Sequence, residues 1–166
     1  MAKKNKFPLS KDTSVLFVSF SRWDNNKRTP TNGSIDPIRD FLVPRIKKLV
    51  IIDQVHPSGE GVMPVIEEFA NHCFKFKQHK SSWWMYILKP WFDTPHTNPH
   101  GTYMRFKIRD FFSVIDWSFR DKTQFDYCIC LESVNTLAAI LLRKIGKVKK
   151  VVYYVSDYSP NRYKSK

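Results

Sequence analysis

The sequence predicts an α/β domain of the Rossmann-like, three-layer kind, with a mostly parallel sheet of about five strands. Three observations carry that reading. Residues 14–20 (SVLFVSF), 125–131 (FDYCICL) and 150–156 (KVVYYVS) are apolar on both faces, as strands covered by helices on two sides are. Segments of helical periodicity alternate with them. The chain of 166 residues is 42% hydrophobic and 15% aromatic, enough for one core and too apolar for a disordered chain, so residues 1–166 read as a single domain.

Taken in order, residues 14–20 form the first strand, followed by a long polar connection, SRWDNNKRTPTNGS, of the length that often carries function. Asp36 is an N-cap with Pro37 in the first helical position, and Pro44 limits the helix. KKLVIID is the second strand. Residues 62–72 are weakly patterned and read as partly helical; CFKFKQ alternates strictly and reads as the third strand. Residues 81–92 (SSWWMYILKPWF) are dense in aromatics and precede a turn, DTPHTNPHG. From 102 to 119, Met104, Ile108, Phe111, Phe112, Ile115 and Phe119 mark the apolar face of a helix whose other face carries Arg105, Lys107, Arg109 and Asp110. Val134, Leu137, Ala138, Leu141 and Ile145 mark a final helix, closed by Gly146.

Lys and Arg number 28 against 15 Asp and Glu, a formal charge of +13 that attracts phosphates on lipid, nucleotide or nucleic acid without choosing among them. Cys128 and Cys130 fall in an apolar run and read, with Cys73, as reduced thiols, which suits a reducing cytosolic compartment. No apolar run approaches 18 residues, so no spanning helix is expected.

Ligands of such sheets bind beyond the carboxyl ends of the strands, which directs attention to SRWDNNKRTPTNGS, HPSGEG, LESVN and SDYSPNR. Gly33 lacks the G-x-G-x-x-G context and reads first as a tight turn, although it could bring backbone amides close to a phosphate or sugar hydroxyl; Walker and G-x-S-x-G patterns are missing too. Asp157 stands where a carboxylate would project into the crevice beside Ser156, Tyr158 and Ser159; it either accepts bonds or a proton from a hydroxyl, or caps the turn before Pro160. Glu132 has the same two readings, with Ser133 beside it as a natural N-cap. Arg22, Lys27 and Arg28 put positive charge at the crevice mouth or are solvated loop charges. His96 and His100 have a metal-ligand spacing, but Pro95 and Pro99 argue against the helix it needs, and no metal is expected. Trp83, Trp84, Tyr86, Trp91 and Phe92, flanked by Lys80 and Lys89, pack as core or else dip into a lipid interface.

VLFVSFSRWD, NGSIDPIRDF and above all the block from Phe125 to Arg162, with YYVSDYSPNRY and the closing NRYKSK, resemble the amino-terminal, acceptor-side half of a GT-B glycosyltransferase of the group-1 type. The resemblance implies transfer of a sugar from a nucleotide-sugar donor to a polysaccharide or lipid-linked acceptor. It further implies that this domain binds no cofactor itself, that the nucleotide sugar sits in a carboxyl-terminal donor domain, and that this chain alone is inactive. Acceptor contacts would fall to Arg22, Asn32, Gly33, Ser34, Glu132, Ser133 and Tyr158, with Asp157 as the catalytic candidate where many members carry histidine. A cytoplasmic enzyme, peripheral at the inner face of an anionic plasma membrane and without a specific nucleic-acid partner, follows from the same resemblance. Two other classes compete: a basic nucleic-acid-binding module, and a flavodoxin-like or response-regulator-like signalling domain with Asp53 as its acidic site.

Overall fold

A computed structural model describes residues 9–24, 27–30, 35–56, 63–79, 83–93 and 99–154. Among them, strands β1 (Ser14–Asp24), β2 (Lys27–Pro30), β3 (Lys48–Val55), β4 (Val65–Ala70), β5 (Cys73–His79), β6 (Phe125–Cys130) and β7 (Val148–Tyr153) form one sheet. The helices are α1 (Ile35–Leu42), α2 (Trp83–Asp93), α3 (Pro99–Arg120) and α4 (Ser133–Lys144).

The sheet order is β5-β4-β3-β1-β6-β7, with β2 paired to the end of β1. β3, β1, β6 and β7 run parallel; β4 and β2 run against them, and β5 pairs antiparallel with β4. β1 is the centre, paired along Ser14 to Ser21 with β3 and along Val15 to Val18 with β6. Its side chains alternate between two cores. Val15 and Phe17 join Leu49, Ile51, Tyr127 and the α1 residues Ile35 and Leu42; Leu16 and Val18 join Val50, Ile52, Cys128 and Cys130 under Val114, Trp117, Ala138 and Leu142 of α3 and α4. α1 therefore covers one face and α3 with α4 the other, which is the three-layer arrangement expected.

Several expectations change in detail. The described part of residues 62–72 is not helical. β4 occupies most of it, ending in a hairpin whose two loop residues, Asn71 and His72, both have positive φ (51° and 68°). Both left-handed positions are what a two-residue turn matched to strand twist requires. CFKFKQ is a strand, but it forms an antiparallel edge, so β3-β4-β5 is a meander without a crossover. The polar connection after the first strand continues β1 to Asp24 and folds back as β2. Asp36 and Pro37 lie inside the first turn of α1, which ends at Leu42 before Pro44. The aromatic segment is helical despite Pro90.

α3 is a helix, but its buried face is rotated from the expected one: of the predicted apolar residues only Phe111 and Ile115 pack against the core. Arg109, Asp110, Ser113 and Ser118 are buried with Phe106, Val114 and Trp117, whereas Met104, Ile108, Phe112 and Phe119 are exposed. The reason is polar. Arg109, 1% exposed, bonds Asp110 through Nε at 2.9 Å and donates to the Val55 carbonyl at 2.8 Å, while Gln54 donates to the Asp110 carbonyl and to Ser113 Oγ. These bonds tie α3 to the end of β3, and buried donors left without partners would each be costly.

Candidate functional site

The chain leaves β1 for β3 on one side and returns through α3 to β6 on the other, so the carboxyl ends of β1 and β6 diverge into connections on opposite sides. Open α/β sheets bind ligands at this kind of switch point. A pocket of about 420 Å³ opens there, lined by Phe20, Val55, His56, Phe106, Lys107, Asp110 and Glu132. A larger hollow of about 520 Å³ lies by Ser14 and Asp126, at the amino ends of the strands, where this fold class does not place ligands.

Each polar group of the pocket is set by an element. His56 follows β3 directly, its backbone amide donating to the Ser21 carbonyl at 2.8 Å, and its ring stacks on Phe20 with centroids 6.0 Å apart. Glu132 stands between β6 and α4, where Leu131 is fixed by a bond from its amide to the Val18 carbonyl. Lys107 reaches from α3 to pair with Glu132. Phe106 gives an apolar wall, with the Arg109 guanidinium 4.6 Å from its ring centroid.

Burial pushes the His56 imidazole below its ordinary value of 6.5; Glu132 pulls it upward, and Lys107, Arg109 and Arg22 push it down again. The ring is therefore neutral at pH 7, with one nitrogen able to accept a proton or hydrogen bond. Burial pushes Asp110 up against the pull of Arg109, its ion-pair partner. The arrangement offers an uncharged base, a paired carboxylate and an aromatic wall, suited to a ligand rich in hydroxyls.

Of the residues singled out in the sequence, Glu132 lines the pocket, and Arg22 is near enough to His56 to act on its proton affinity. Glu132 occupies the N-cap position of α4, making no side-chain cap bond, and is held by Lys107; Ser133 is the first helical residue and exposed, so the cap expected of Ser133 falls to its neighbour. Asn32, Gly33, Ser34, Asp157 and Tyr158 lie outside the described residues, as do His96 and Lys80. Among the described residues no cluster of His, Cys, Asp or Glu could hold a metal ion, and no helix is long and apolar enough to cross a membrane.

Arg28 and Asp53 do not serve the crevice. Asp53 is fully buried within β3, accepting bonds from Ser19 Oγ at 2.9 Å and Trp23 Nε1 at 3.0 Å, with Arg28 Nε 3.4 Å away. Arg28 also pairs with Glu67 and Asp36, and lies over the Trp23 ring. Burial pushes Asp53 up to about 6 against the lowering pull of Arg28. A carboxylate enclosed in this way is no surface phosphoacceptor, which removes the basis of the response-regulator reading. It is a buried ionic tie between the β1–β2 hairpin, β3, β4 and α1.

Of the pocket's lining residues sequence reasoning named only Glu132 as a site candidate; Phe20, Val55, His56, Phe106, Lys107 and Asp110 were missed. The signal for His56 is its place as the first residue after an apolar strand; Lys107 falls on a solvent face as long as periodicity alone decides how α3 turns. No protein-family model matches the chain, and no curated protein or solved structure matches it significantly. What fold and site define is a class: an α/β domain with a polar, aromatic-walled pocket at its switch point.

Proposed function

We propose that this chain is the acceptor-side domain of a GT-B, group-1-type glycosyltransferase, which moves a sugar from a nucleotide-sugar donor to a polysaccharide or lipid-linked acceptor. The observation that carries the reading is the switch-point pocket, where neutral His56 and Glu132 meet the wall formed by Phe20 and Phe106. In the proposed complex an acceptor hydroxyl donates to His56 or Glu132, Lys107 holds Glu132 in place, and an aromatic face packs on the sugar ring. The donor diphosphate belongs to a second, facing domain, so this domain alone binds acceptor and transfers nothing.

The test is binding of the labelled chain to an oligosaccharide array, followed by titration of the best-retained glycan against wild type, His56→Ala and Glu132→Gln. Each substitution is expected to weaken binding about tenfold or more, the worth of a hydrogen bond to a charged or well-placed group. Retention of no glycan, or affinity untouched by both substitutions, would overturn the reading. So would preferential retention of a single-stranded oligonucleotide that falls steeply with salt, which would favour the nucleic-acid module.

A further inference from the structure

We propose that Asp110 is a ligand-binding residue of the switch-point pocket, with one carboxyl oxygen presented to a hydroxyl of the ligand, and that Arg109 is the residue that positions it. The inference rests on the reading of this pocket as the acceptor site and goes further, naming a contact and the side chain behind it.

The carboxyl group is held on one side. Arg109, almost wholly buried, donates twice to Asp110 Oδ1, from Nε at 2.9 Å and from a terminal nitrogen at 2.6 Å. Among the described residues Oδ2 accepts no bond, yet it is not one of the sealed, unpartnered atoms of the core; it opens on the pocket that Asp110 lines. A guanidinium is a planar fork of donors, so fixing one oxygen fixes the direction of the other. The main chain is pinned as well: the Asp110 carbonyl accepts from Gln54 Nε2 at 3.2 Å and from Ser113 Oγ at 3.0 Å. The same guanidinium donates to the Val55 carbonyl at 2.8 Å and lies 4.6 Å from the Phe106 ring centroid, so it holds three lining residues without lining the pocket itself. A carboxyl group aimed before any ligand arrives loses little further freedom on binding.

The surrounding groups choose the ligand class. Asp110 on α3, His56 after β3 and Glu132 before α4 bring acceptors from three elements to one pocket, beside the rings of Phe20 and Phe106. The cations there are engaged, Lys107 with Glu132 and Arg109 with Asp110 and the Val55 carbonyl. A pocket in which acceptors face the ligand and the donors are spent on the protein suits a molecule that donates. A sugar ring carrying several hydroxyls does so, with an apolar face for the aromatic wall.

The experiment takes the glycan that the wild-type chain retains best on an oligosaccharide array and titrates it, with each of its monodeoxy analogues, against wild type, Asp110→Asn and Arg109→Lys. The near-isosteric amide keeps an oxygen for Arg109 and turns an NH2 toward the pocket; the lysine keeps the charge and loses the fork. Asp110→Asn is expected to weaken binding of the parent glycan about tenfold or more, and to make no further difference to the analogue lacking the hydroxyl that Asp110 binds. Arg109→Lys should show the same pattern. Circular dichroism checks that each variant folds; if Arg109→Lys does not, Asp110→Asn decides alone. Equal weakening across the whole deoxy series marks a structural role and overturns the proposal, as does affinity untouched by Asp110→Asn. Affinity untouched by a folded Arg109→Lys overturns the positioning role. Retention of no glycan by the wild type overturns the acceptor reading and this assignment with it, whereas retention without the Asp110 pattern overturns the assignment only.

Discussion

Replacing Arg28 by Met, which keeps much of the stem and removes the charge, exposes what the buried ionic tie contributes. Arg28 faces Asp53, Glu67 and Asp36, and the first two lie almost entirely out of water. Removing one partner of a buried ion pair destabilises by about 3–5 kcal/mol, because the remaining charge is left uncompensated. Asp53 gives this loss a pH signature. Its folded pKa, about 6, is raised from 3.8 by burial, so its ionisation opposes folding. That opposition is absent below pH 3.8, where both states are protonated, and grows as pH rises through 6, reaching about 3 kcal/mol once both states are ionised. Without Arg28 the folded pKa rises further and the penalty at neutral pH grows. Urea unfolding followed by tryptophan emission should therefore give a deficit of about 3–5 kcal/mol at pH 8 that falls to roughly half at pH 5, where Asp53 takes up a proton instead. A deficit under about 1 kcal/mol at pH 8, or one of equal size at both pH values, would refute the reasoning.

Two further outcomes follow from other buried groups. Burial pushes Asp121 up, but bonds from Lys48 at 2.7 Å and from the Thr123 amide outweigh it and hold the carboxyl below 3.8. Its contribution is present above the unfolded pKa and lost as pH falls through the folded one, so Asp121→Asn should lower stability at pH 7 and flatten the acid limb below about pH 4 of an unfolding-versus-pH curve. Asn135, fully buried in the first turn of α4, has a partner for neither amide atom among the described residues. Asn135→Leu, of similar volume, should raise stability by about 1–2 kcal/mol in thermal or urea unfolding; a loss instead would mean that the amide has a partner in solution.

The layers were legible in the sequence because β1, β3 and β6 are buried on both faces and carry the continuous apolar runs such strands need. β4 was not, because VIEEFA places Glu67 and Glu68 mid-strand, and it takes the distant Arg28 to make a buried glutamate there intelligible. The turn that ends it uses Asn-His where Asn-Gly would have announced a hairpin. α3 misled for the opposite reason. Periodicity weighs hydrophobicity alone, and the stripe that points inward is fixed by Arg109, Asp110 and Gln54, whose bonding is visible only when β3 and α3 are side by side. The pocket was half legible: position after a strand flagged Glu132, whereas Lys107 depended on which way α3 turned.

The central strand also dictates an order of assembly. β1 can pair with β3 once residues in the fifties exist, but its other flank waits for β6, and the Ser14 amide for Asp126, 112 positions along the chain. At synthesis rates of about 5–20 residues per second, that flank stays unpaired for about 5–20 s after it leaves the ribosome. A nascent chain holding an apolar strand open for that long is a natural client for a chaperone that shields strand edges.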